Sequence, residues 1–101
     1  MRGAKELTTR IEKITTYSEN LKVFKLRLPD GADLSFIPGQ FVMASLPGHV
    51  DVNGRKIAKA YSIASSPSHT GILELCIVGY PTGALSPKLF QKGVGDEVIV
   101  T

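Results

Sequence analysis

The sequence predicts an all-β fold: a six-stranded antiparallel Greek-key barrel with one short helix between strands five and six. Two observations carry the prediction. Short runs rich in β-branched and alternating apolar residues follow one another at close intervals with turn signals between them, the pattern of a sandwich or barrel and not of βαβ units. A single stretch, residues 81–93, departs from that pattern with helix-start and helix-stop signals. The chain has 101 residues, 43% hydrophobic and 21% charged, with a formal net charge of +3. It therefore reads as one domain, 1–101, with an ordinary apolar fraction and no compositional sign of disorder.

Thr8 to Thr16, rich in Ile and Thr, reads as the first strand. In the second, Val23 to Leu28, the side chains of Phe24, Leu26 and Leu28 alternate with Lys25 and Arg27, so one side is buried. Pro29-Asp30-Gly31 closes it as a turn. Phe36-Ile37-Pro38-Gly39 leads into the third strand, Gln40 to Leu46, which ends at Pro47-Gly48. Asn53-Gly54 is a two-residue hairpin signal ahead of the fourth, Lys56 to Ser65. Leu73, Leu75 and Ile77 alternate with Glu74, Cys76 and Val78 in the fifth, and Glu97 to Thr101 forms the sixth. Between these last two, Ser86 suits an N-cap, Pro87 the first helical position and Gly93 a C-cap, giving a helix of about two turns. Gly93-Val94-Gly95-Asp96 leads into a strand and reads as a turn.

Composition excludes several classes. One cysteine cannot form an intramolecular disulfide, and with only His49 and His69 beside it cannot complete a zinc site without carboxylates, so no metal is expected. No apolar run approaches the roughly 20 residues of a membrane span, and the N-terminus lacks the apolar segment of a signal peptide. A cytoplasmic protein is expected. The basic residues are scattered over a solvated surface, and only Arg55, Lys56 and Lys59 are dense enough to suggest an anion site. A nucleic-acid-binding barrel would need aromatic platforms beside a basic groove, and three tyrosines with four phenylalanines, several of them core, leave little room for one.

Two segments carry candidate chemistry. Gly83-Ala84-Leu85-Ser86 opens the helix, where unpaired N–H groups and a glycine permit close approach of a phosphate, with the Ser86 hydroxyl as a further donor. Taken alone, such a stretch is more commonly explained by capping. In Lys59-Ala60-Tyr61-Ser62-Ile63-Ala64-Ser65-Ser66, alternation puts Lys59, Tyr61, Ile63 and Ser65 on one face. A ring, a hydroxyl and a cation together suit a planar ligand with a phosphate tail. Read singly, the same residues describe a strand with a half-buried tyrosine.

Taken in order, Phe36-Ile-Pro-Gly-Gln-Phe-Val, Lys59-Ala-Tyr-Ser-Ile-Ala-Ser-Ser-Pro, Leu73-Glu-Leu-Cys-Ile-Val, Gly83-Ala-Leu-Ser-Pro-Lys-Leu-Phe and Gly95-Asp-Glu-Val resemble the FAD-binding domain of the ferredoxin-NADP reductase superfamily. The bacterial ferredoxin-NADP reductases match best, through Gly-x-Leu-Ser-Pro-x-Leu. The resemblance runs from about Thr8 to Thr101. It implies a flavoprotein in which Tyr61 stacks on the isoalloxazine of FAD and Ser62 hydrogen-bonds near its N5, the catalytic pair. Lys59 and Ala60 belong to the same motif, backbone groups of Cys76, Ile77 and Val78 line the cofactor, and Gly83, Ala84, Leu85 and Ser86 hold the pyrophosphate. The implied activity is electron transfer between NAD(P)H and an iron-sulfur or flavin protein such as ferredoxin or flavodoxin.

The sequence departs from the family pattern in two ways. Lys59 stands where the motif has arginine, a point charge in place of a bidentate fork, which predicts a less well-fixed pyrophosphate with Arg55 as a possible substitute. No Gly-x-Gly-x-x-Gly or Walker-type loop occurs, so the nicotinamide-binding domain is expected on another domain or subunit and this chain alone is expected to be inactive with NAD(P)H. A flavin-free barrel acting as a structural or interaction module is the alternative. Of the remaining residues, Cys76 reads as a buried inert thiol, His49 and His69 as exposed loop residues, and Phe41 and Phe90 as core.

Overall fold

Among the described residues, six strands and one helix follow in the order β1 (Leu7–Ser18), β2 (Leu21–Arg27), β3 (Phe41–Ser45), β4 (Lys59–Ile63), β5 (Ile72–Val78), α1 (Ser86–Phe90) and β6 (Glu97–Val100). The structure, a computed structural model, describes residues 6–32, 40–65, 71–80 and 82–101. The expectations placed on Phe36 to Gly39, Ser66, Pro67, His69 and Pro81 lie outside them. All pairings are antiparallel, and the strands close in the order β1-β2-β5-β4-β3-β6, with β6 returning to β1. This is the predicted barrel, and closure leaves no free sheet edge.

Alternation builds the interior. Along β5, Leu73, Leu75 and Ile77 are at most 1% exposed, while Glu74 and Cys76 between them are half-buried. Phe24 and Leu26 of β2 stand opposite Leu75 and Leu73, so the large apolar side chains of the two strands meet in register. Ile11, Val42, Ala44, Ile63, Val98 and Val100 complete the lining. Thr9, the polar member of that layer on β1, donates its hydroxyl to the Val98 carbonyl at 2.8 Å, so its burial leaves no orphaned group.

The strand ends move where packing or turn chemistry overrides pattern. β4 runs over Lys59–Ile63 instead of reaching Lys56 and Ser65. Lys56 instead forms an isolated bridge with Val50, closing an arm whose tip is the expected Asn53-Gly54 turn, with Gly54 at φ 78. The Ser65 hydroxyl accepts the Glu74 N–H. Phe41, expected in the core, is 59% exposed: Val42 and Ala44 take the inward positions of β3, and Phe41 faces outward opposite Ser62.

The helix is shorter than expected and differently capped. Pro87 fits its first turn, but the N-cap is Leu85, with no side-chain cap bond, and the C-cap is Gln91. Ser86 is therefore not the cap, because its hydroxyl is committed to the backbone of Tyr80. Gly93 is not the C-cap either; it belongs to the next turn, its N–H donating to the Asp96 carboxylate and its carbonyl accepting the Asp96 N–H. Five residues cannot hold a helix in isolation. Leu85 and Leu89, both 0% exposed, dock α1 on the barrel core.

Phe90 lies at the edge of that contact, half-buried, its ring 6.4 Å from that of Phe24 and 4.7 Å from the Lys22 ammonium. It also covers Gly79: a Cβ there would come within 2.6 Å of the ring. Gly79→Ala is expected to destabilise the fold by ~1–3 kcal/mol, because the ring has to leave its packed rotamer. Chemical denaturation measures this, and unchanged stability would mean that Phe90 swings aside freely.

Candidate functional site

β4 and the turn that follows β5 meet at one rim of the barrel. Tyr80 N–H donates to the Ser86 hydroxyl at 2.9 Å, that hydroxyl donates to the Tyr80 carbonyl at 3.3 Å, and Gly83 N–H donates to the same carbonyl at 2.9 Å. These bonds gather Tyr80, Gly83 and Ser86 tightly together. A Cβ at Gly83 would crowd this turn, lying 3.0 Å from the Ser86 hydroxyl oxygen and 3.2 Å from the Tyr80 carbonyl, so the absence of a side chain suits it.

A concavity of about 610 Å³ opens between this turn and β4, lined by Lys59, Ala60, Tyr61, Tyr80, Thr82, Gly83, Ala84, Leu85 and Ser86. Seven of the residues singled out in the sequence are thus brought together from segments more than twenty positions apart. Ser62, Cys76, Ile77 and Val78 are not in this lining. Ser62 is exposed on the outer face of β4, directly opposite Cys76, while the Ile77 side chain fills the barrel interior and Val78 is partly exposed. Cys76 is half-buried on that outer face, not a fully buried thiol.

The electrostatics favour an anion. Lys59, exposed and in no ion pair among the described residues, carries the one charge in the lining, and no described carboxylate borders the cavity. Tyr61 packs against the core, and burial pushes its phenol above the usual tyrosine range, so the ring is neutral at physiological pH. A second, smaller concavity of about 330 Å³ lies beyond Tyr80 and Ser86, bordered by Glu19, Asn20, Gly79, Pro87 and Phe90.

Three residues at or beside the site were not singled out in the sequence: Tyr80 and Thr82, which line the cavity, and His49 next to it. His49, expected as an exposed loop residue, is half-buried and places its Nε2 2.9 Å from the Ala84 carbonyl. The two are 35 positions apart. No local spacing signals such a contact, because only barrel closure sets the arm that follows β3 against the turn before α1. Among the described residues no group of three His, Cys, Asp or Glu is placed to hold a metal.

A closed six-stranded barrel with one helix before its last strand, and an anion-favouring rim beside a neutral ring, describes a flavin-domain architecture, and the sequence comparison agrees. Residues 8–101 match the family model of the oxidoreductase FAD-binding domain, and the chain belongs to that family. It is 36% identical over 94 residues to the ferredoxin-NADP reductase of Pseudomonas aeruginosa, covering 93% of this chain and 34% of that protein. With NADH-cytochrome b5 reductase 1 of Mortierella alpina it shares 32% identity over 82 residues, 80% of this chain and 26% of the relative. The solved ferredoxin reductase of carbazole 1,9a-dioxygenase superposes with a TM-score of 0.81 at 28% identity, covering 96% of this chain and 27% of that one. The chain thus spans between a quarter and about a third of the length of the curated relatives it matches. It is an oxidoreductase-type FAD-binding domain, similar in sequence to part of a ferredoxin-NADP reductase and of a cytochrome b5 reductase.

Proposed function

We propose that this chain holds FAD along the β4 rim and serves a reductase that moves reducing equivalents between NAD(P)H and an iron-sulfur or flavin protein. The observation that carries this is the joining of Lys59, Tyr61 and Gly83 to Ser86 in one cavity with a single positive charge. FAD needs such a set: a neutral ring to stack on, a cation for the pyrophosphate, and backbone that a phosphate can approach closely. Tyr61 lies against the isoalloxazine. Lys59 and the backbone of Gly83, Ala84 and Leu85 hold the pyrophosphate, and the Ser86 hydroxyl, occupied by Tyr80, acts by keeping that turn in shape.

Bound FAD supplies a two-electron acceptor that can pass electrons on singly, while the protein positions it and tunes its electronics. Ser62, which pairs with Cys76 across β4 and β5, and the backbone from Cys76 to Val78 would lie along the flavin edge, with the Ser62 hydroxyl as a donor near N5. Nicotinamide is bound by a further domain or subunit, and the carrier is a ferredoxin, a flavodoxin or another iron-sulfur protein. The names of the relatives, which include both ferredoxin and cytochrome b5 reductases, support a one-electron carrier without choosing among them. The working compartment is the cytoplasm; no described helix is long and apolar enough to cross a membrane.

The test is the visible spectrum of the purified protein, followed by titration with FAD. A flavin absorption band and a melting temperature that rises with FAD are expected, since ligand at 100 times its Kd stabilises by roughly 2.7 kcal/mol. A folded, colourless protein that takes up no added FAD would instead be the flavin-free interaction module.

A further inference from the structure

We propose that His49 is a positioning residue that sets the cofactor-facing turn from Thr82 to Ser86 for FAD, an inference that rests on the FAD reading above. His49 does not line the cavity. Its Nε2 lies 2.9 Å from the Ala84 carbonyl, which can only accept, so the ring carries its hydrogen on Nε2 and donates. The backbone that carries the ring is itself held on both sides. His49 N–H donates to the Leu46 carbonyl at 3.1 Å, and its carbonyl accepts from Ile57 N–H at 3.4 Å.

The arm that carries His49 is braced at its tip and at its return. The Asp51 carboxylate accepts the N–H groups of Asn53 at 2.8 Å and Arg55 at 3.0 Å, and Lys56 pairs with Glu6. A donor fixed in this way can orient a neighbouring peptide. The Ala84–Leu85 bond is trans, so its oxygen and its N–H point in opposite directions, and holding the oxygen toward His49 fixes the Leu85 N–H on the other side. From within, the turn is held by the Ser86 hydroxyl on Tyr80; His49 is the outer tether. A binding segment gains affinity when its geometry is set before the ligand arrives.

The experiment measures FAD dissociation constants, by quenching of flavin fluorescence, for the parent chain, His49→Ala and His49→Gln, with melting curves of each apo protein. His49→Ala is expected to bind FAD about three- to tenfold more weakly, the effect of one hydrogen bond. His49→Gln, which restores an N–H donor, is expected within twofold of the parent. Equal affinity of parent and His49→Ala overturns the inference and leaves the FAD reading intact. Binding by His49→Gln that is no better than by His49→Ala also overturns it, because the ring would then act through bulk. Should His49→Ala fail to fold, His49→Leu, which keeps bulk and drops the donor, takes its place under the same criteria. A parent chain that binds no FAD overturns the proposed function and this inference together.

Discussion

Leu89→Ala is expected to lower the unfolding free energy by about 2–5 kcal/mol, the range for leucine truncation at a closed core site. Leu89 is fully buried, and with Leu85 it is the anchor through which a helix of five residues meets the barrel. A domain of this size shifts its melting temperature by about 4–8 °C per kcal/mol, so the variant should melt at least about 8 °C below the parent. The effect should reach beyond packing. With α1 loosened, the turn holding Gly83 to Ser86 loses its C-terminal support, and FAD should bind more weakly while restoring part of the lost stability. Urea unfolding with and without FAD measures both quantities. A loss below about 1 kcal/mol would mean that Leu85 alone docks the helix.

Lys59→Glu is expected to weaken FAD binding about a hundredfold, equivalent to roughly 2.7 kcal/mol, because it replaces attraction to the pyrophosphate by repulsion. The fold should be indifferent, since Lys59 is exposed and makes no ion pair among the described residues. The difference between parent and variant should shrink as salt is raised, since exposed charges are screened over about 8 Å at physiological ionic strength. Lys59→Arg is the complementary case. A planar fork engages two phosphate oxygens at once, so FAD affinity should rise. Equal affinity of Lys59→Glu and parent would place the pyrophosphate elsewhere, and an unchanged or lower affinity on Lys59→Arg would show that lysine is not a weakness here.

Strand alternation survives folding because it reflects a fixed geometry: side chains at i and i+2 share a face whatever the partner strand. Phe24 and Leu26, Leu73, Leu75 and Ile77 were therefore identifiable as interior from the chain alone. The Gly95 turn was legible for a similar reason, its φ of 95 suiting glycine. Phe41 was not, because its neighbours Val42 and Ala44 are also apolar, and only pairing with β4 decided which set faces inward. The helix caps failed for a related reason. Ser86 has a good cap side chain, but the chain brings Tyr80 back within reach of its hydroxyl, and that contact takes the group the cap would have used.

The site divides along the same line. The sequence by itself determined the barrel class, the FAD-binding family resemblance and the residue types that suit an anion and a flat ring, because these depend on composition, periodicity and short motifs. Only the tertiary structure decided that Lys59, Tyr61 and Gly83 to Ser86 share one cavity, that Ser62 and Cys76 sit together on the outer face, and that His49 reaches Ala84. Those relations join segments 14 to 35 positions apart. They are fixed by strand order and register around the closed barrel, which no local stretch of sequence specifies.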